Sequence, residues 1–248
     1  MKKTQKTVIL EKPKGPIKYV VWDLETDGFV APKNKILEIG CMVVREGSTE
    51  ELRWVLDNKI EVPEHITAIN GMTNKIIKKE GRDPKECLSK FLPILKSAKK
   101  HITHNGIRFD IPFLVNYSAD IFGWTENQKK MVLNFLLSRS YDTAVWGKSN
   151  EVGMERHEDE TYLQFADRVM NMRSRAKYNL GFMCDKVGID RSNVVQHRAL
   201  GDVFLTHELY KIARKKNYRS MCCNAEVYEN EDNVEKCDLC GFSCVNNK

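Results

Sequence analysis

The residues best suited to chemistry come early in the chain, in the stretch KYVVWDLETDG of residues 18–28. Residues 19–22 are aromatic or β-branched, which favours a buried strand. Asp23 and Glu25 follow directly, and because strand side chains alternate between faces, both carboxylates point to one side, roughly 7 Å apart. They repel each other unless a cation lies between them. The alternative is a strand that ends in solvated acids at a turn.

Two later segments place acids on the inward-facing stripe of a predicted helix. The segment HNGIRFD, residues 104–110, enters a helix whose stripe begins at Asp110, although a helix-capping Asp is the alternative there. The segment HRALGD, residues 197–202, begins another helix with Asp202 on its stripe. A single buried His or Asp is more often structural than catalytic. Here four acids and His197 all lie at element ends and face inward, which favours one shared site.

The elements that must position these residues alternate between strands and helices, and 248 residues suffice for one α/β core plus a smaller unit. Residues 36–44 and 52–56 predict an antiparallel pair after the first strand. A short strand is predicted near 100–103, and a strand or turn near 140–143. Residues 63–77 predict a loop with a short helical turn, and residues 147–160 predict a loop. The predicted helices cover residues 83–95, 110–121, 125–137, 161–177, 179–186 and 197–216.

The helix predicted for residues 161–177 has two contrasting faces. Its inward positions are Phe165, Val169 and Met172. The opposite face carries the cations Arg168, Arg173, Arg175 and Lys177. The sequence favours a solvated surface over a substrate contact for these four side chains.

Three separated motifs, in this order, resemble the DEDDh (DnaQ-like) 3′–5′ exonuclease family. They are Asp23-x-Glu25, His104-Asn105-x-x-Phe109-Asp110 and His197-x-Ala199-x-x-Asp202. The family includes the proofreading subunit of bacterial replicative DNA polymerase, ribonuclease T and oligoribonuclease. The resemblance spans roughly residues 17–216, and Asn-Gly-Met-Thr at 70–73 and Asp142-Thr143 are also similar to the family. Asp27 departs from the hydroxyl residue common at that position, and the stretch 146–177 is longer than usual.

The resemblance implies a fold and a reaction. The fold is ribonuclease-H-like, a mixed five-stranded sheet flanked by helices. Four carboxylates in a basic protein suit two Mg²⁺ or Mn²⁺ ions, which prefer oxygen ligands and can clamp a phosphodiester. One ion lowers the pKa of an attacking water, and the other stabilises the leaving 3′-oxygen. The 3′→5′ polarity and the release of mononucleotides also come from the resemblance.

The family's pattern assigns a role to each site residue. Asp23 bridges both ions, Glu25 and Asp202 complete the nucleophile side, and Asp110 holds the second ion through water. His197 is the expected general base, because the unperturbed pKa of histidine lies near working pH. The pattern places substrate contacts at Leu24, Thr26, His104, Asn105 and Phe109.

Charge is distributed unevenly along the chain. Of the net charge of +6, residues 222–248 contribute −4 through six acids and two lysines, so the preceding part carries +10. Basic runs occur at residues 2–18, 75–100 and 211–219, and a solvated face explains any single run. The combination of a basic main part and an acidic C-terminal segment nevertheless indicates that the main part binds phosphate groups.

Composition argues against a membrane protein. The sequence is 42% hydrophobic and 30% charged, and it contains no apolar run near the length of a membrane span. The apolar core of the first residues is too short for a signal peptide. The protein is therefore expected in the cytoplasm, without a membrane partner.

Five of the eight cysteines are crowded between residues 222 and 244, whereas Cys41, Cys87 and Cys184 lie in apolar segments typical of core thiols. In a chain without an export signal, the cluster favours a metal site over disulfides. Its Cys-x-x-Cys-Gly knuckle resembles a zinc ribbon, with a redox pair as the alternative. The favoured ligands of a structural Zn²⁺ are Cys222, Cys223, Cys237 and Cys240, with Cys244 as a substitute. Because this module is acidic, its composition favours a protein contact, for example with replication machinery, or a fold-capping role over binding to phosphates.

These observations predict a basic N-terminal extension at residues 1–16, an exonuclease domain at 17–217 and a zinc-ribbon-like module at 218–248. The predicted activity is metal-dependent 3′→5′ hydrolysis at the 3′ ends of single-stranded nucleic acid, with DNA favoured. The alternatives are an exoribonuclease that trims RNA ends and a non-catalytic module that assists a polymerase. A non-catalytic relative is expected to lack at least one ligand or the base, and all five residues are present.

Overall fold

The computed structural model describes residues 15–195 and 197–215. Their five strands are β1 (Ile17–Thr26), β2 (Ile36–Arg45), β3 (Ser48–Val55), β4 (His101–Thr103) and β5 (Ser140–Asp142). They form one sheet in the order β3-β2-β1-β4-β5. β2 pairs antiparallel with β1 and β3, whereas β4 pairs parallel with β1 and β5. The predicted ribonuclease-H-like α/β fold with a mixed five-stranded sheet is confirmed.

The helices of the described ranges follow the strands in α/β order. They are α1 (Glu64–Asn70), α2 (Asn74–Glu80), α3 (Pro84–Ser97), α4 (Asp110–Phe122), α5 (Glu126–Ser138), α6 (Thr143–Val152), α7 (Tyr162–Asn171), α8 (Leu180–Val187) and α9 (Ala199–Lys215). None of them is long and apolar enough to cross a bilayer. The zinc ribbon predicted for 218–248 lies outside the described residues, with its ligands Cys222, Cys223, Cys237, Cys240 and Cys244, as does most of the predicted extension 1–16.

Helices cover both faces of the sheet, and the alternation of side chains along β1 determines what each face contacts. Val20, Trp22 and Leu24 lie in the core that β1 and β2 share with α3, α4 and α5. Val21 belongs to the opposite core, together with Val203 of α9. Since strand side chains alternate, the odd-numbered positions 23 and 25 continue the face that α9 covers.

Three predicted elements differ from the structure. Residues 63–77, predicted as a loop with a short helical turn, contain α1 and most of α2. The other two differences lie in the segment 147–177. Residues 147–160 were predicted as a loop, yet α6 extends through Val152. The polar residues that suggested a loop are partly internal, because Lys148 and Ser149 are buried. The helix predicted for 161–177 ends at Asn171, and Met172, predicted to face inward, is 40% exposed.

Candidate active site

The acids of β1 are presented at the end of the central strand, facing α9. Asp23 is the register partner of Gly40 on β2, and Glu25 is the partner of Glu38. Both β1 acids are half-buried. The two carboxylates therefore extend from one sheet face into the space that the first turn of α9 borders.

A glycine on β2 allows α9 to come close to these acids. A Cβ atom at Gly40 would lie 2.5 Å from the main-chain carbon of Ala199, the first residue of α9. Only a residue without a side chain permits this approach. Asp202 then reaches the β1 acids, so that one carboxylate oxygen each from Asp23, Glu25 and Asp202 lies within 4.8 Å of the others. Three of the four predicted acids thus come together.

Asp110, the fourth acid, adjoins this group from the other side of β1. It is buried in the first turn of α4, and its Oδ1 accepts a hydrogen bond from the main-chain N–H of Leu24 at 3.1 Å. The paired residues of the short strand β4 are the partners of Val20 and Val21, so the Leu24 amide lies beyond them. Asp110 therefore satisfies a β1 donor that β4 does not reach, and this contact fixes its carboxylate near Asp23.

The acids raise one another's pKa because they share a desolvated space. Burial raises the pKa of Asp23 well above its usual value, and the charges of Asp110, Glu25 and Asp202 add to that shift. Burial, followed by the charge of Asp202, raises the pKa of Glu25 to about 8. Burial also raises the pKa of Asp110 to about 7. An all-oxygen group that resists full ionisation in this way fits divalent cations such as Mg²⁺ or Mn²⁺, whose charge would stabilise the carboxylates.

His197, the predicted base, lies in a bend immediately before α9. Its side chain is exposed, its φ angle is 56°, and its main-chain N–H donates to Oδ1 of Asp202 at 3.4 Å. A Cβ atom at Gly201 would lie 2.1 Å from the carbonyl oxygen of Val195, so the chain before His197 folds back over the first turn of α9. The structure therefore places His197 next to Asp202, with a solvent-exposed imidazole.

Glu38 is a site residue that the sequence analysis missed. Its fully buried carboxylate accepts from Arg198 Nε at 3.1 Å, from Arg198 Nη2 at 2.8 Å and from the N–H of Ala199 at 3.1 Å. Arg53 also donates to it and contacts Glu80 through a second nitrogen. Burial acts to raise the pKa of Glu38, but the hydrogen bonds from Arg198 and Arg53 lower it below its usual value. Glu38 thus anchors the residue that follows His197 and the start of α9.

Asp142 organises the loop that carries Asp110. Its carboxylate accepts from the main-chain N–H groups of Asn105 at 2.7 Å, Ile107 at 3.0 Å and Ala144 at 2.9 Å. Asn105 adopts a φ of 63°, which asparagine tolerates better than most residues. The sequence analysis noted Asp142 only for its similarity to the family. An acid directly before the start of a helix was the available signal for its anchoring role.

The predicted substrate residues occupy different environments. Leu24 is 5% exposed and faces the core, and the Thr26 hydroxyl donates to the Gly28 carbonyl at 2.7 Å. The His104 ring contacts Thr143 Oγ1 at 2.9 Å and the Tyr178 main chain, and burial lowers the pKa of His104 to about 4. His104 is therefore neutral and held by the protein. Its imidazole is fixed beside Asn105 at the start of the 104–110 loop.

An aromatic pair lies beside the acids, and one of its members was not predicted. Phe29, three residues beyond Thr26, is 84% exposed. Its ring centroid is 6.1 Å from that of Phe109, which immediately precedes Asp110, and the rings meet edge to face. A large aromatic side chain this exposed offers a free ring face for another planar group.

Asn70 is a further buried residue near the acids. Its side-chain amide donates to the Thr26 carbonyl at 3.4 Å and hydrogen-bonds Glu25. Its Oδ1 accepts from the N–H of Met72 at 3.0 Å. The Asn-Gly-Met-Thr segment that the sequence analysis noted therefore supports the end of β1 directly.

The structural neighbours of this chain share its fold. Exonuclease I of E. coli in complex with a dA16 oligonucleotide superposes with a TM-score of 0.62 and 15% sequence identity, covering 82% of this chain and 42% of that one. A moderately thermophilic exonuclease I from Methylocaldum szegediense superposes with a TM-score of 0.58 and 14% identity, covering 82% of this chain and 41% of that one.

Sequence comparison adds two curated relatives and a family. A PolC-type DNA polymerase III of Clostridium perfringens is 30% identical over 104 residues, 42% of this chain. That of Ureaplasma parvum is 23% identical over 202 residues, 79% of this chain. The matches span 7% and 11% of those much longer polymerases. Residues 20–210 match the RNase_T exonuclease family. The chain therefore belongs to this family of DnaQ-like exonucleases, as its three acidic motifs predicted.

Proposed function

We propose that the protein is a metal-dependent 3′→5′ exonuclease that removes nucleotides from single-stranded nucleic acid, with DNA favoured. The observation that carries the proposal is the meeting of Asp23, Glu25 and Asp202 within 4.8 Å, with Asp110 fixed beside them. Membership of the exonuclease family supports nuclease chemistry at this group. The direction of hydrolysis and the number of metal ions are parts of the proposal that rest on the motifs.

In this proposal Asp23, Glu25, Asp202 and Asp110 hold two Mg²⁺ or Mn²⁺ ions. Bound ions of this kind neutralise charge on the scissile phosphate and lower the pKa of the attacking water. His197 would accept the proton of that water, since its side chain is exposed and lies close enough to Asp202 for the two charges to interact. Glu38 and Asp142 act only on the protein, holding the segments that carry His197, Asp202 and Asp110.

Single-stranded substrates fit the surroundings of the acids. The exposed ring of Phe29, supported by Phe109, can stack on an unpaired terminal base, a contact worth about 1–3 kcal/mol per base. Thr26 and Asn105 lie partly exposed at this end of the sheet, whereas Leu24 and His104 support it from inside the protein. The E. coli exonuclease I neighbours hold dA16 and dT13 oligonucleotides, which is why DNA is favoured here.

The test is degradation of matched oligonucleotides of DNA and RNA labelled at the 5′ end, with Mg²⁺ and with a chelator. We expect a ladder that shortens from the 3′ end, faster for DNA, and no reaction in the chelator. Faster loss of the RNA ladder would favour the exoribonuclease alternative. Binding without hydrolysis at any Mg²⁺ or Mn²⁺ concentration would leave only the non-catalytic accessory role.

The division of the chain is also proposed, with the exonuclease domain at 17–217 and a zinc-binding module at 218–248. The similarity to PolC-type polymerases supports a partner in the replication machinery, and a cytoplasmic location is part of the same proposal. Full-length protein purified without added metal should contain about one zinc ion per chain, as a four-thiolate site requires. Replacement of Cys237 and Cys240 by serine should remove it. Zinc content unchanged in that variant would exclude the assigned ligands.

A further inference from the structure

The segment between α7 and α8, residues 172–179, carries three cations in a position that the proposed reaction does not yet use. Arg173, Arg175 and Lys177 recur at every second residue, and all three side chains are exposed. We name residues 172–179 the basic strap. Some surface cations of the described ranges pair with acids, as Arg168 on the preceding helix does with Glu160 at 2.6 Å. The three strap cations form no ion pair or hydrogen bond within the described residues, so their charge is available to a ligand.

The beginning of the strap is held in place by two cations from neighbouring elements. The buried amine of Lys148, on α6, donates to the carbonyl of Met170 at 3.0 Å and to that of Met172 at 2.9 Å. Arg108 donates to the same Met170 carbonyl at 3.1 Å and to the side chain of Asn171 at 2.9 Å. These bonds end α7 and direct the chain into the strap. Arg108 lies two residues before Asp110, so the strap begins against the loop that carries that acid.

The end of the strap is held against the same loop. The main chain of Tyr178 hydrogen-bonds the ring of His104, which begins the 104–110 segment. The Tyr178 ring lies 5.2 Å from the Lys148 amine, and Asn179 caps α8 by accepting from the N–H of Phe182 at 3.0 Å. Both ends of the strap are therefore tied to the loop between β4 and α4. The main chain that carries the three cations is therefore held against the loop that leads to Asp110.

We propose that the basic strap binds the phosphodiester backbone of the substrate strand on the 5′ side of the scissile bond. The inference rests on the proposed exonuclease function and adds a binding site to it. A phosphate chain entering a group of four acids is repelled by them, and three unpaired cations beside the entrance would attract it. Contacts of this kind go to phosphates and carry no sequence information. The strap therefore sets affinity for strands long enough to reach it.

The experiment compares two variants that lose the same charge. The strap variant combines Arg173→Gln, Arg175→Gln and Lys177→Gln. The control combines Lys96→Gln, Lys99→Gln and Lys130→Gln, three exposed lysines on or beside α3 and α5, across the sheet from α9. Binding of a fluorescent single strand of about 12 nucleotides is measured by anisotropy over a salt series, with Ca²⁺ replacing Mg²⁺.

For the strap variant we expect affinity to fall at least about tenfold at low salt. The slope of log affinity against log salt should flatten by about 2, because three phosphate contacts contribute about 0.7 each on single strands. The control should retain the wild-type slope. Equal slopes in the two variants would overturn the proposal and leave the strap as a solvated surface.

A parallel hydrolysis assay separates this proposal from the exonuclease proposal. If the wild type hydrolyses the strand and the strap variant binds it as tightly as the wild type does, only the strap proposal is excluded. Strap-dependent binding without hydrolysis by the wild type removes only the exonuclease proposal. A raised KM of the strap variant for the long strand, with the control unaffected, supports both.

Discussion

Two glutamates lie side by side on the paired strands β1 and β2, and the charges around them are opposite in sign. Glu38 is buried among Arg53 and Arg198, and hydrogen bonds from these cations outweigh burial and lower its pKa. Glu25, its register partner, lies among Asp23 and Asp202, and burial together with the neighbouring charge raises the pKa of Glu25 to about 8. A buried acid with cationic partners holds segments together. A buried acid whose neighbours are also acids either holds a proton or takes a cation from outside the protein.

The acidic side of this comparison is tested most strongly at Asp23. Asp23→Ala should reduce hydrolysis at least about 10³-fold, because the central ligand of the acid group is lost. The metal-free protein should stay folded, since one of several mutually repelling groups has been removed. The measurements are 3′-end digestion and circular dichroism melting. Hydrolysis near the wild-type rate, in protein freed of contaminating nucleases, would show that the acid group around Asp23 is not the active site.

His197 depends on both sides of the comparison, because it lies between the Glu38 anchor and the acid Asp202. His197→Ala should slow hydrolysis by about 10²–10⁴-fold, the usual range for a lost general base. Mn²⁺ binding measured by calorimetry should be unchanged, as the imidazole is proposed as a base and not as a ligand. Loss of Mn²⁺ affinity would assign His197 to the metal site instead.

The cationic side is tested at Glu38. Glu38→Gln should lower the free energy of unfolding by about 2 kcal/mol, less than for a wholly buried pair, because Arg53 and Arg198 are partly exposed and can be hydrated. Urea denaturation measures this, with the exposed Glu51→Gln on β3 as the control, expected within about 0.5 kcal/mol of wild type. Hydrolysis should fall as well. A stable and fully active variant would show that the anchor is unnecessary.

The smallest expected effect is a pH dependence at Glu25. Because the folded-state pKa of Glu25 is raised, the native metal-free protein holds a proton that the unfolded chain has lost between pH 4.5 and about 8. Wild-type stability should therefore fall as pH rises through this window, and Glu25→Gln should remove part of the fall. In chelator, we expect the stability of the variant to rise relative to that of the wild type between the low-pH and the high-pH end of this window. A difference independent of pH, measured by urea denaturation, would contradict the raised pKa.

The sequence predicted the sheet and the helices that carry the acids because those elements have clear periodicity. The central run before Asp23 and the stripes beyond Asp110 and Asp202 each bury one face, and the structure shows these elements. The loop prediction around Lys148 was wrong because a lysine in a sequence indicates a solvent-exposed position. In the structure, the amine of Lys148 is buried against main-chain carbonyls. Only tertiary structure supplies those acceptors.

The same limit applies within the site. Glu38 stands in the apolar run ILEIGCMVV, where its charge was the available signal, but its partner Arg198 is far away in sequence and was unknown. Phe29 was overlooked because a single aromatic residue after a turn has no period. The motifs indicated which acids come together, whereas the residues that support them depend on contacts between distant segments.

The close approach of Gly40 to α9 means that the spacing of the acids depends on the absence of a single methyl group at position 40. A Cβ atom there would meet the Ala199 backbone at 2.5 Å, about 1 Å inside ordinary contact, and backbone cannot rotate away as a side chain can. Relief would require the first turn of α9 to lift from the sheet, carrying Asp202 away from Asp23. The distance between Asp202 and Asp23 is thus controlled by a residue that is not itself one of the acids. Substitution of Gly40 by progressively larger residues should therefore increase the separation of Asp202 from Asp23 in steps, without changing any of the acids.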